Sequence, residues 1–145
     1  MWKEGERLIE EEIRKLLDEL STKQRRSYSD MLRHLELHIG QDQLLCRLRK
    51  EDGITQSQLS ERLNCEPPTV ANMVKTLESY GLVHRKRDAL DARINRVYLT
   101  PEGQDMIAPI EKVWRKQQDK LLDGMSPEEL RLLKKLLTKM AENLS

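Results

Sequence analysis

The stretch ITQSQLSERLNCEPPTVANMVKTLESYGLVHRKRDALDARINRVYLT, Ile54–Thr100, changes periodicity twice, and those changes decide the fold. It opens with Thr55 as an N-cap and Gln58 three residues on, the spacing of a capping box. Leu59 and Leu63 then face inward, and Asn64 is suited to the left-handed conformation that ends a helix. After the turn NCEPP, a second helix starts with Pro67 or Pro68 in its first turn, where a missing N–H costs nothing. It runs through TVANMVKTLESY and stops at Gly81. Two short helices joined by a tight turn make a helix-turn-helix. Beyond Gly81 the period falls to two: Leu82 and Val83 begin an extended segment. INRVYLT alternates, with Val97 and Leu99 on one face and Ile94, Arg96 and Tyr98 on the other. The pattern predicts a β-hairpin whose connecting loop carries most of the local charge.

On either side the helical period returns. Residues 3–20 set Leu8, Ile9, Ile13, Leu16, Leu17 and Leu20 on one stripe. Residues 22–38 predict further helix, continuous with the first or bent near Ser21 and ended by Gly40. Leu44, Leu45 and Leu48 give a short helix over 41–50. Thr100 caps a helix with Pro101 at its first position, running to about Leu122. Ser126 and Pro127 start a last helix bearing Leu130, Leu133, Leu136, Leu137, Met140 and Leu144. The expected fold is mainly α with a small β-hairpin wing, a winged helix-turn-helix over 39–100. Residues 1–38 and 101–145 are its flanking N- and C-terminal dimerisation helices. Their apolar stripes exceed what so small a domain can bury, and a two-fold homodimer is the commonest solution.

Composition narrows the class. Of 145 residues, 37% are hydrophobic, 35% charged and only 3% aromatic, so the core must rest on Leu, Ile, Val and Met. No apolar run approaches the roughly 20 residues of a membrane span, and the acidic, interrupted start does not resemble a secretory signal. A cytoplasmic protein with no membrane partner is expected. Residues 1–20 hold four cations against seven anions, whereas residues 81–100 hold five cations against two. An acidic end and a basic centre suit a chain that meets a polyanion with one part only. Cys46 and Cys65 lack the spacing of a disulfide framework or a zinc site, and Cys46 sits on an apolar stripe as a small buried hydrophobe.

With Val70 at the centre of the second helix's inner face, Met73, Val74 and Leu77 also point inward. Pro68, Asn72, Lys75, Thr76 and Ser79 point outward, with Thr69 at the edge. This face is small, polar and nearly free of carboxylates, as a helix entering a major groove about 12 Å wide requires. Asn72 can pair with adenine, Thr69 and Thr76 with a thymine methyl or a phosphate, and Lys75 with a phosphate or guanine. Taken alone, the face equally describes an ordinary solvated helix. The hairpin tips the balance, because His84, Arg85, Lys86, Arg87, Arg93 and Arg96 gather near a tip with little to bury. Such a wing reaches phosphates or the adjacent minor groove, whose negative potential attracts Arg. Asp91, two residues before Arg93, is placed to hold its guanidinium, and Asp88 to shape the turn.

These residues resemble the core of the MarR (multiple antibiotic resistance regulator) family over about 40–103. The most specific parts are LESYGLVHRKR and the wing signature D-x-R…V-x-L-T-x-x-G, here Asp91, Arg93, Val97, Leu99, Thr100 and Gly103. The resemblance implies a homodimeric winged helix that binds a pseudo-palindromic double-stranded DNA operator, usually as a repressor released by a small-molecule effector. It also implies that Arg93 enters the minor groove, braced by Asp91. The chain departs from the family where members often carry Arg, at Asn72, Thr76 and Ala92, which weakens the carry-over of base contacts. By the same resemblance an effector cleft would be lined by Arg25, Tyr28, Met31, His34, His38 and Trp114. His34 and His38 are expected at i and i+4 on one helical face, but two ligands make no metal site, and no metal or other cofactor is expected. The family's zinc-sensing branch adds a His pair after the wing, where DMIAPIEKVW has none.

No Gly-rich phosphate loop, nucleophile motif or acid–base cluster points to an enzyme. The competing reading is a winged helix that binds protein and not DNA, an anti-regulator. A recognition helix without Arg suits it; the basic wing does not.

Overall fold

The chain is described by a computed structural model over residues 3–145. In order, it forms α1 (Glu4–Arg33), α2 (Gln41–Lys50), α3 (Gln56–Leu63), α4 (Pro67–Ser79), β1 (Val83–Arg87), β2 (Asn95–Leu99), α5 (Pro101–Asp105), α6 (Ile107–Leu121) and α7 (Pro127–Asn143). Two compact units result, one ending at Val113 and the other spanning 114–145. Mostly helical, with one antiparallel hairpin, the chain has the winged helix-turn-helix architecture read from its sequence.

In the first unit, the core lies beneath the helix-turn-helix. Leu44, Leu45 and Leu48 of α2, Leu59 of α3, and Val70, Val74 and Leu77 of α4 are fully buried. Val83 and Val97 close the core from the hairpin side, and Ile107 and Ile110 close it from α6. Fully burying one such side chain contributes roughly 1.5–3 kcal/mol, so this cluster holds the two short helices that propensity alone could not.

The caps form as the sequence requires. Thr55 accepts from the Gln58 N–H, and the Gln58 side chain returns the bond to the Thr55 N–H, both at 3.0 Å. Asn64 ends α3 in the left-handed region, with φ 51° and ψ 45°. Thr100 and Ser126 cap α5 and α7 through Gly103 and Glu129.

Three features differ from expectation. First, α1 runs unbroken through Ser21 but ends at Arg33, not at Gly40. Its closing turn brings the Leu37 N–H to the Leu32 carbonyl at 3.1 Å, burying Leu37, with Glu36 at φ 61°. His34 is therefore the C-cap and His38 lies in the following turn, so the two do not share a helical face. Second, the helix expected from Pro101 to Leu122 breaks at Met106. Pro109 explains the restart: it lacks the N–H that would bond to Asp105, and is tolerated only in a first turn. Third, the hairpin gains a neighbour on β2. The Gly53 N–H donates to the Val97 carbonyl at 2.9 Å, and the Val97 N–H donates to the Ile54 carbonyl at 3.0 Å.

Gly103, the last residue of the wing signature, is buried. A Cβ there would lie 2.0 Å from the Leu82 carbonyl oxygen. Its role is close approach: α5 starts directly against the strand that leads into the wing.

Candidate nucleic-acid interface

Burial of Val70, Val74 and Leu77 fixes the rotation of α4 about its axis. Pro68, Thr69, Asn72 and Lys75 are consequently exposed, while Thr76 is half-buried and Met73 sits at the core's margin. All lie in one α-helix from Pro67 to Ser79 whose outward face carries no carboxylate before Glu78.

The hairpin has a different construction. β1 and β2 pair from Val83↔Leu99 to Arg87↔Asn95, and every β1 residue except Val83 is exposed. With so little to bury, its shape depends on polar bonds. Asp88 accepts from the Leu90 and Asp91 N–H groups, each at 3.0 Å, which fixes the turn. Its other oxygen takes the Arg96 Nε at 2.7 Å, and Arg96 Nη1 donates to the Gly53 carbonyl at 3.0 Å. Arg96 thus ties the wing to the segment joining α2 and α3. A stacked pair, His84 on Tyr98 with ring centroids 5.2 Å apart, reinforces the same sheet.

Asp91 does what its spacing predicts. One oxygen accepts from the Arg93 backbone N–H at 3.0 Å and Nε at 3.1 Å, the other from Nη2 at 3.1 Å. The Arg93 side chain nevertheless stays 91% exposed. These bonds from Arg93 hold the Asp91 carboxyl below the usual range, and the bond from Arg96 does the same to Asp88.

The structure sorts the wing cations. Arg93 is braced and exposed. Arg96 is half-buried and committed to Asp88 and Gly53. Arg85 is held by Glu78, with Nη2 to Oε1 at 2.9 Å. Lys75, Lys86 and Arg87 are exposed and make no ion pair among the described residues. Sequence reasoning did not find Glu78 as a partner, because Glu78 and Arg85 belong to different elements and meet only once Gly81 turns the chain.

Of the effector candidates, Tyr28 lies on α1 and its hydroxyl donates to the fully buried Asp42 at the start of α2. Met31 is half-buried, and Arg25, His34 and His38 are exposed. Trp114 belongs to the second unit. Among the described residues, no group of three His, Cys, Asp or Glu is arranged to hold a metal ion. Burial, with Asp42 nearby, pushes the Cys46 thiol up to about 11, the opposite of an activated thiolate.

Comparison with known proteins agrees with this geometry. Residues 37–94 match the model of the MarR family. The chain is 36% identical over 103 residues to the uncharacterised HTH-type transcriptional regulator YdgJ of Bacillus subtilis strain 168. That alignment covers 71% of this chain and 63% of the relative, so the chain spans under two thirds of the curated relative's length. Among solved structures it resembles S. aureus MepR in a complex with DNA, with a TM-score of 0.79 at 27% identity, over 88% of this chain and 95% of that one. A MarR-like transcription regulator from Bacillus cereus shares the fold at 19% identity, with a TM-score of 0.84 over 95% and 99% of the two chains. With its capped helix-turn-helix, its paired wing and the close approach at Gly103, the chain has the winged-helix fold of these regulators, and its residues 37–94 match the MarR family.

Proposed function

We propose that this protein is a DNA-binding transcriptional regulator, acting as a homodimer on a pseudo-palindromic operator as a ligand-responsive repressor. One observation carries the reading: a guanidinium held by two carboxylate oxygens yet 91% exposed, at the tip of a hairpin beside a polar recognition helix. A surface ion pair of this kind contributes little to stability, but a fixed, exposed Arg is what a narrow minor groove recognises. Pro68, Thr69, Asn72, Lys75 and Thr76 serve the major groove, and Lys86 and Arg87 the phosphates. Likeness to a DNA-bound relative supports the assignment.

Dimerisation follows from the exposed stripes. Leu8, Ile9, Ile13, Leu16, Leu17 and Leu20 on α1 are each 40–62% exposed. Leu130, Leu132, Leu136, Leu137 and Met140 on α7 are exposed as well. We assign 1–38 and 101–145 to assembly and 39–100 to DNA. Among the described residues no helix is long and apolar enough to cross a membrane. The likeness to transcriptional regulators supports a cytoplasmic, non-enzymatic role. Within the first unit, Arg25, Tyr28, Met31, His34 and His38 are the proposed effector contacts; Trp114, in the second unit, is a separate candidate.

The test is binding to the DNA upstream of the protein's own gene across a salt series. Several Lys/Arg–phosphate contacts make affinity fall steeply as salt rises. An absence of binding even at low salt would sink the reading and favour a protein-binding winged helix. Light scattering at micromolar concentration should give a dimer, with recognition helices about 34 Å apart on DNA.

A further inference from the structure

We infer that Glu78 is a positioning residue for DNA binding: it locks the end of the recognition helix to the wing through Arg85, and Arg85 acts as the wing's brace and not as a phosphate contact. The inference rests on the operator-binding reading above. Glu78 lies in the last turn of α4, and Arg85 is the third residue of β1. Three bonds join them. The Arg85 backbone N–H reaches Oε2 at 3.0 Å, Nε reaches Oε1 at 3.2 Å, and Nη2 reaches Oε1 at 2.9 Å.

The backbone bond is the informative one. Arg85 stands opposite Val97, and both backbone groups of Val97 bond to residues 53 and 54. Arg85 and Val97 therefore form a non-hydrogen-bonded pair, so the Arg85 N–H points away from β2. Glu78 satisfies that edge with one oxygen and grips the same residue's guanidinium with the other. A carboxylate bonded to both main chain and side chain of one residue fixes a position and a direction together. Neither side chain is fully exposed, at 35% for Glu78 and 37% for Arg85.

Charge alone argues against placing a carboxylate here. Glu78 is the acidic residue of a helix whose outward face otherwise lacks one, beside a hairpin that carries most of the local positive charge. If it did nothing but repel phosphate, removing it would tighten DNA binding. As a brace, its removal frees the wing relative to α4 and weakens binding, because Arg93 and the recognition helix must then be ordered at the moment of contact.

The sign of the effect is the test. Glu78→Ala, Glu78→Gln, Arg85→Ala and the double Ala variant are compared with wild type on a labelled duplex of the DNA upstream of the gene. Thermal melting establishes that each is folded, and amide exchange is followed at Arg85. Glu78→Ala should bind at least about three-fold more weakly, with Arg85→Ala adding little in that background, as expected of residues acting as one unit. Its Arg85 amide should exchange faster. Glu78→Gln, which keeps an acceptor for that amide, should fall between. Equal or tighter binding by Glu78→Ala, or an unchanged Arg85 exchange rate, overturns the inference. Binding by wild type with no loss in Glu78→Ala removes only the role of Glu78; no binding by wild type removes the operator reading itself.

Discussion

The recognition helix and the wing reach a defined shape by opposite means. α4 is fixed by what it buries: Val70, Val74 and Leu77 are fully buried, so the outward residues Thr69, Asn72 and Lys75 take no part in the core. The wing buries Val83 and Val97 at its base; beyond its backbone pairing and the His84–Tyr98 stack, its shape rests on carboxylate–guanidinium bonds. An apolar anchor leaves the opposite face chemically uncommitted. A polar anchor uses the residue types that would also bind DNA, so the wing must divide its cations between holding itself and touching a ligand. That division should appear as different responses to substitution, deep and global in the helix, local and polar in the wing.

The largest effect is expected in the helix. Leu77→Ala removes a fully buried side chain and should cost about 2–5 kcal/mol of stability, the range for such truncations. Chemical denaturation would measure it. A loss under about 1 kcal/mol would mean that α4 is not anchored by its inner face.

Gly53 probes the base of the wing. It has φ +79°, and a Cβ there would lie 2.7 Å from the Tyr98 ring. Gly53→Ala should cost on the order of 1–3 kcal/mol, since a left-handed conformation and a clash combine. It should also disturb the His84–Tyr98 stack, visible in their ring-proton shifts. Unchanged shifts would show that the 52–54 segment does not hold the hairpin.

The arginines test the division of labour directly. Arg93→Ala should weaken operator binding by about 1–3 kcal/mol and leave melting nearly unchanged, because its side chain is exposed. Arg96→Ala should lower the wing's protection from amide exchange, because it takes one partner from both Asp88 and the Gly53 carbonyl. If the two variants behave alike in both measurements, the sorting into braced contact and structural tie is wrong.

Legibility in the sequence followed the range of the interactions. Thr55 with Gln58, Asn64, and Thr100 with Pro101 are signals complete within a few residues, and each element they mark is present. Asp91 and Arg93 were readable for the same reason. The end of α1 was not, because Glu36 takes the left-handed conformation that a sequence advertises with Gly or Asn. The burial of Leu37 against the rest of the unit drives that turn, and such burial cannot be seen locally. The break at Met106 carried a signal in Pro109 that periodicity overrode. Pairing of Gly53 and Ile54 with Val97, like the Glu78–Arg85 bonds, depends on contacts between separate elements, which no spacing rule reveals.

The smallest effect expected is a pH response confined to the wing. Hydrogen bonds from Arg96 to Asp88, from Arg93 to Asp91 and from Arg85 to Glu78 lower each carboxyl below its ordinary value. A depressed folded value means that the stabilisation is fully present above the unfolded carboxylate range, near pH 4, and lost as pH falls through the lowered values. From pH 5 to 8 the wing should therefore hold its order. Below about pH 4 the Leu90 and Asp91 amides, both bonded to Asp88, should lose protection before the amides of α4, whose anchor does not titrate. Amide protection followed by NMR would locate the midpoint. A midpoint above pH 5 would show that these carboxylates do not control the wing's order. The contrast with the recognition helix would then narrow, because the wing too would be held by something other than its ion pairs.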